Sequence, residues 1–226
     1  MIRSVSLTAR SVRAPLAVSG GRGYRSHVAE LHVCVSADGF RVVEADLSAA
    51  TADEIRATVA AARQCGAWRL WAYGGDLESY GFRADGGYTR LHATECPPGE
   101  ELPIETDPAR VALLVAGAYL GVWGHKEIGE DFAERVAAQP NLTHVVLDDV
   151  GICRIDRDAR VIDGPGVAPG ARTLERYLRL VLAACAVLGP GEATIESWGD
   201  SPEVLAAYQT LGFAIAERLD GWSLDL

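Results

Sequence analysis

Gly199 to Phe213 reads GDSPEVLAAYQTLGF, and the way this stretch divides decides the fold. Ser201 before Pro202 is a helix start. A serine oxygen accepts from the first unpaired amides, and proline in the first turn gives up only an N–H that has no partner there. Val204, Tyr208 and Leu211 recur at helical spacing and share a face, and Gly212 stops the helix. ATIESW before it has the composition and alternation of a strand, and FAIAERLDGWSLDL after it reads as a hairpin turning at Asp220-Gly221. Strand, capped helix and strand in succession point to an α/β or α+β layered domain.

The same order occurs earlier in the chain. RLWAYGGDLESYGFRADGGYTRLHA (69–93) matches TIESWGDSPEVLAAYQTLGFAIAERLDGWSLDL (194–226) as strand, Gly-Asp, aromatic-containing helix, Gly-Phe and hairpin. A repeat of this kind implies duplication, with the first copy shortened. Ahead of that copy, FRVVEADLS is a strand. Thr51 and Glu54 then form a capping box for a helix carrying Ile55 and Val59.

Between the copies, ECPPGEELPIETDP (95–108) is acidic, rich in proline and without periodicity. The expected division is therefore a shortened half over 1–95, a linker over 96–106 and a full domain over 107–226. In that domain Asp107 caps a helix opening at Pro108, and Ile128, Phe132 and Val136 mark a second. LTHVVLDDVGICRIDRDARVIDGPGV (142–167) supplies three strands turning at Asp148-Asp149 and Arg157-Asp158. After Pro169, Leu174, Leu178, Val181, Cys185 and Leu188 give a clean helical stripe.

A formal charge of −10 opposes general nucleic-acid binding, which needs a basic face. No apolar run reaches membrane-spanning length, and the N-terminus lacks a signal peptide's apolar core, so the expected location is cytoplasmic. Five cysteines without a CxxC pair, and histidines without ligand spacing, predict neither a disulfide frame nor a metal site. Cys153 and Cys185 fall in apolar segments as small core residues. Ser19–His27, SGGRGYRSH, reads as a flexible hairpin loop, with phosphate binding as its alternative.

GDSPEVLAAYQTLGF resembles the Asn-Pro…Tyr-x-x-x-Gly-Phe segment of the GCN5-related N-acetyltransferases, in particular their tandem two-domain members. QPNLTHVVLDDVGICRI is similar to that family's second and third strands, and DGPGVAPGAR to its fourth strand and cofactor turn. The resemblance covers nearly all of the C-terminal side and the last third to half of a domain on the N-terminal side. It implies a mixed, mostly antiparallel sheet flanked by helices. It also implies transfer of an acyl group from acetyl-coenzyme A, or another acyl thioester, to a small-molecule amine.

By the same resemblance Tyr208 is the general acid for the leaving thiolate, with Asp163 and Glu196 as alternative bases for the amine. Packing would account for the tyrosine equally well, and a turn or strand-edge role for Asp163. Val167, Arg172, Thr173, Arg176 and Ser201 fall at the coenzyme, near a helix N-terminus suited to pyrophosphate. The letters depart from the family there. Thr173, Glu175 and Tyr177 replace the usual small residues, and Pro165 removes an N–H at the splayed strand. Those departures leave three readings: an acyltransferase using the coenzyme or a pantetheine-bearing acyl carrier protein, a non-catalytic partner protein of the same fold, and other chemistry on a small ligand between the halves. The first is the expected one, in a monomer or a dimer.

Overall fold

The computed structural model describes residues 29–226, so the glycine/arginine segment 19–27 lies outside the described residues. In chain order the elements are β1 (His32–Val35), β2 (Arg41–Asp46), α1 (Ala52–Gln64), β3 (Arg69–Tyr73), β4 (Arg83–Ala93), β5 (Ile104–Glu105), α2 (Pro108–Ala118) and α3 (Phe132–Ala137). They continue with β6 (Leu142–Leu147), β7 (Gly151–Asp156), β8 (Val161–Asp163), β9 (Gly166–Val167), α4 (Leu174–Leu188), β10 (Ala193–Trp198), α5 (Pro202–Thr210) and β11 (Ala214–Asp225). This is the mixed α/β architecture that the periodicities predict.

Local chemistry sets the helix starts. Thr51 and Glu54 exchange both bonds of a capping box at α1. Asp107, Thr173 and Ser201 each accept an amide at the start of α2, α4 and α5. After Pro169 the chain makes a 3₁₀ turn (Pro169–Ala171), and the α-helix begins at Leu174, the first residue of the expected stripe. The expected second helix is also shorter than its apolar spacing, because Ile128 lies before α3 begins.

Among the described residues all the strands join one sheet, in the order β1-β2-β3-β11-β4-β10-β8-β7-β6-β5, with β9 paired to β7. β2/β3 and β8/β10 are parallel, and the other neighbours are antiparallel. Outward from the central β11/β4 pair, the sheet runs β3, β2, β1 on one side and β10, β8, β7 on the other. β11 comes from the C-terminal side of the chain yet pairs with β3, and β4 comes from the N-terminal side yet pairs with β10.

That exchange overturns the closing hairpin expected at Asp220-Gly221. Residues 214–225 form one long strand, bulged near Ile215/Glu217 and Asp220/Trp222, which pairs with β4 along most of its length and with β3 at its end. The bulges bend the strand where a two-residue turn would have reversed it.

Two cores lie on one face of the sheet. Beneath α4, Tyr177, Leu180, Val181, Ala184 and Cys185 meet Leu91, Ile155, Ile162 and Ile195. Beneath α1, Ile55 and Ala62 meet Val43, Leu70 and Ala72. Each fully buried leucine or isoleucine contributes about 1.5–3 kcal/mol. Cys153 and Cys185 are free and buried, as expected of core residues. The segment read as a linker is packed. Cys96 is buried in the α4 core, and Gly99 lies so close to α4 that a Cβ there would sit 2.5 Å from that of Ala186.

Candidate functional site

The site begins where two parallel strands part. β8 and β10 are in register through Val161–Asp163, with Asp163 opposite Glu196. The last rung is the Gly164 amide donating to the Glu196 carbonyl at 2.7 Å. Gly164-Pro165 then carries the chain away, and Gly166 and Val167 pair with β7 instead. Ser197 and Trp198 of β10 thereby lose their β8 neighbour. Glycine is required on the departing strand. A Cβ on Gly164 would approach the Ser197 Cα to 3.1 Å, and one on Gly166 would lie 2.7 Å from the ring of Tyr119.

Alternation along β10 sends successive side chains to opposite faces of this parting. Toward α4 point Ile195 and Ser197. The Ser197 hydroxyl donates to Asp200 Oδ2 at 2.6 Å, and the Tyr208 hydroxyl reaches the same oxygen at 3.3 Å. Tyr208 is completely buried, and Ser197 is 1% exposed. Burial pushes the Asp200 carboxyl up to about 6, against the opposing pull of its two hydroxyl donors and the charge of Arg172. Burial, with the Asp200 charge next, holds the Tyr208 hydroxyl well above its ordinary range. Tyr208 therefore stays protonated at neutral pH, as a proton donor must.

On the other face lie Asp163, Glu196 and Trp198. Asp163 is paired with Arg154. Burial raises its carboxyl pKa, with Arg154 opposing. Glu196 accepts from Arg90 at 3.0 Å and from the Tyr88 hydroxyl at 3.3 Å, both residues of β4. The sheet therefore separates the expected acid from both candidate bases.

The coenzyme-side residues are placed less directly. Arg172 donates to the carbonyls of Val167 (3.0 Å) and Leu120, and Arg176 to that of Ala171 (2.7 Å). These guanidinium groups brace the loop's own backbone. Thr173 and Ser201 are helix caps. The Leu174 and Glu175 amides at the start of α4 have no intrahelical acceptor and are donors suited to an anion, but the Arg176 amide is taken by Thr173 and the Glu175 carboxylate opposes an anion in the same turn.

Asp200, Ser197, Tyr119 and Trp198 escaped the sequence reading. Asp200 and Ser197 were legible only as a turn and a strand position. Tyr119 donates to the Gly164 carbonyl at 2.8 Å, and its ring stacks on His125 at 4.1 Å. Burial lowers the His125 pKa to about 4, and its Nε2 meets the Trp198 carbonyl at 3.2 Å. Trp198 itself is 41% exposed. The Gly-Asp dipeptide at both 75–76 and 199–200 was the one available signal for Asp200.

Two surface hollows, of about 230 and 440 Å³, lie away from the parting, against α1 and beside β5. Among the described residues there is no three-residue grouping suited to a metal, and no helix is long and apolar enough to cross a membrane.

No protein-family model and no curated protein matches this chain. Solved structures do. A candidate acetyltransferase from Pyrococcus horikoshii superposes with a TM-score of 0.53 at 11% identity, over 88% of this chain and 70% of the other. A GCN5-related N-acetyltransferase from Sphaerobacter thermophilus gives 0.50 at 15% identity, over 86% and 76%. The fold is that of the GCN5-related N-acetyltransferases.

Proposed function

We propose that this protein is an acyltransferase moving an acetyl or related acyl group from a pantetheine thioester, acyl-coenzyme A, to an amine by direct attack. The observation that carries the reading is the parting of β8 and β10 after Asp163 and Glu196, with a protonated, buried Tyr208 on the α4 side and two carboxylates on the other. The donor enters from the α4 side. Its thioester carbon reaches the gap, and the amine attacks from the opposite face. Glu196 or Asp163 takes the amine proton, the C–S bond breaks, and Tyr208 protonates the departing thiolate. Ser197 and Asp200 hold that hydroxyl in place. Val167, Arg172, Thr173, Arg176 and Ser201 shape the loop around the donor's arm.

The palindromic strand order supports a second part of the proposal. Residues 1–95 and 107–226 are tandem copies of one unit, joined through 96–106, the first copy shortened, with their last strands exchanged. Such an arrangement closes a pseudo-dimer within one chain, which favours a cytoplasmic monomer over a dimer. A carrier-protein pantetheine is the alternative donor, because it places no pyrophosphate at the glycine-poor loop.

One set of contacts favours a second reading, a non-catalytic binding protein of this fold. Tyr119 closes on Gly164 and Gly166, and Arg172 is engaged by backbone carbonyls. Isothermal titration with acetyl-coenzyme A, beside a free acyl-pantetheine, decides between them. Micromolar binding of either, with transfer to an amine that Tyr208→Phe abolishes, supports catalysis. No binding of either, together with no turnover on an acylated carrier protein, selects the second reading.

A further inference from the structure

The face of the sheet opposite α4 carries an aromatic group that the chemistry above leaves unused. Trp198 packs on Tyr88 with ring centroids 4.6 Å apart, and Tyr73 meets the Trp198 ring edge-on at 6.5 Å. Trp123 stands edge-on to Tyr73 at 5.0 Å, so the group is continuous with a buried aromatic cluster. Trp198 is nevertheless the outermost ring, 41% exposed, where most indoles of this size would be covered. Its backbone is fixed from below by His125.

Two residues back on the same strand and face stands Glu196. Arg90 pairs with it at 3.0 Å and with Glu217 at 3.3 Å. One guanidinium thus serves two carboxylates, which leaves one negative charge in excess beside the exposed indole. A cation is attracted both to that excess charge and to the face of an indole.

We infer that this face is the acceptor site, and that the acceptor is a primary amine with a flat apolar body. The body lies on Trp198 and the ammonium beside Glu196, at the edge of the strand parting. The amine class rests on the acyltransferase reading, but the binding surface does not. The inference also gives the N-terminal side of the chain a task, since Tyr73, Tyr88 and Arg90 come from β3 and β4.

Binding is measured without any donor, by titration calorimetry of 2-phenylethylamine, 2-phenylethanol and ethylamine into the wild-type protein, Trp198→Ala, Trp198→Phe and Glu196→Gln. Millimolar or tighter binding of 2-phenylethylamine is expected. It should weaken about tenfold in Trp198→Ala, about 1.4 kcal/mol, recover in Trp198→Phe, and weaken several-fold in Glu196→Gln. The alcohol and ethylamine should bind more weakly than 2-phenylethylamine. Because Trp198 is exposed, the variants are expected to keep the wild-type circular dichroism and melting temperature. Absence of amine binding up to about 10 mM, equal binding by all four proteins, or equal binding of alcohol and amine overturns the inference. Amine binding with this pattern in a protein that never transfers an acyl group leaves the surface standing and removes the catalytic reading. Transfer to amines with a KM unchanged in Trp198→Ala does the reverse.

Discussion

Tyr208 and Asp200 meet across 3.3 Å beneath the sheet, hydroxyl to carboxylate, with Ser197 holding the same oxygen at 2.6 Å. In this contact the Tyr208 hydroxyl donates its proton to the Asp200 carboxylate, which keeps the phenol protonated. Tyr208→Phe is expected to lower the acyl-transfer rate roughly 10²-fold or more while leaving donor affinity within a few-fold, since general-acid contributions are of that size. Single-turnover kinetics beside a direct donor titration measures both. A variant with wild-type kcat removes Tyr208 from the chemistry.

Asp200 and His125 oppose each other in their effect of pH on stability. The Asp200 pKa, about 6, is raised above its unfolded value, so its penalty is absent below about pH 4 and complete above about pH 6. The His125 pKa, about 4, is depressed, so its contribution is complete above about pH 6.5 and lost toward pH 4. Each effect is worth up to roughly 3 kcal/mol, and in the wild-type protein they offset. Asp200→Asn should therefore gain stability at pH 7.5 and lose it more steeply on acidification. Urea midpoints at pH 4.5 and 7.5 test this, and parallel profiles for the two proteins would contradict it.

Arg160 clasps the end of α4. Its guanidinium donates to the carbonyls of Leu188 (2.9 Å), Gly189 (3.0 Å), Pro190 (3.1 Å) and Glu192 (2.6 Å). The Leu188 carbonyl is among the last of the helix, which have no intrahelical donor, and the other three lie in the turn that follows it. Arg160→Ala should cost about 2–3 kcal/mol, and Arg160→Lys should recover little of it, because a point charge cannot span four acceptors. Chemical denaturation of the three proteins gives the comparison.

Gly87 lies in the strand that joins the two sides of the sheet. Its φ is +128°, and a Cβ there would stand 2.2 Å from the Leu219 carbonyl oxygen and 2.7 Å from the Gly221 amide nitrogen. Both are backbone atoms of β11 and cannot swing aside. Gly87→Ala is predicted to lose more than about 3 kcal/mol and to loosen the β4/β11 pairing. Hydrogen exchange at Thr89 and Leu219 should accelerate well before exchange in α4. Uniform exchange with unchanged stability would show that the strands shift to admit the methyl group.

How much was legible in the sequence follows from how local each feature is. The caps at Thr51, Asp107 and Ser201, and the stripe from Leu174 to Leu188, depend on residues within a turn or two of one another. Each was readable, and each is found in place except Leu174, which is exposed. The same holds for the turns at Asp148-Asp149 and Arg157-Asp158, where the chain passes from β6 to β7 and from β7 to β8. The hairpin expected at Asp220-Gly221 failed because β4, more than a hundred residues earlier, supplies the partner that a hairpin would have found locally. Arg172 and Arg176 read as cations free for a phosphate, since no nearby sequence announces the carbonyls of Leu120, Val167 and Ala171 that engage them.

Chain order alone carried the layering, most of the helix caps and the residues that could do chemistry. Only the folded chain decided that β4 and β11 exchange places, that Tyr208 stands on one face of the sheet and Glu196 on the other, and that Asp200 is the carboxylate lost from water. Periodicity and capping act over a few residues, whereas a pKa or a strand partner depends on what distant parts of the chain bring alongside. Asp200 has its carboxyl near 6 because the surrounding core closes over it, against the hydroxyls of Ser197 and Tyr208 that pull the other way.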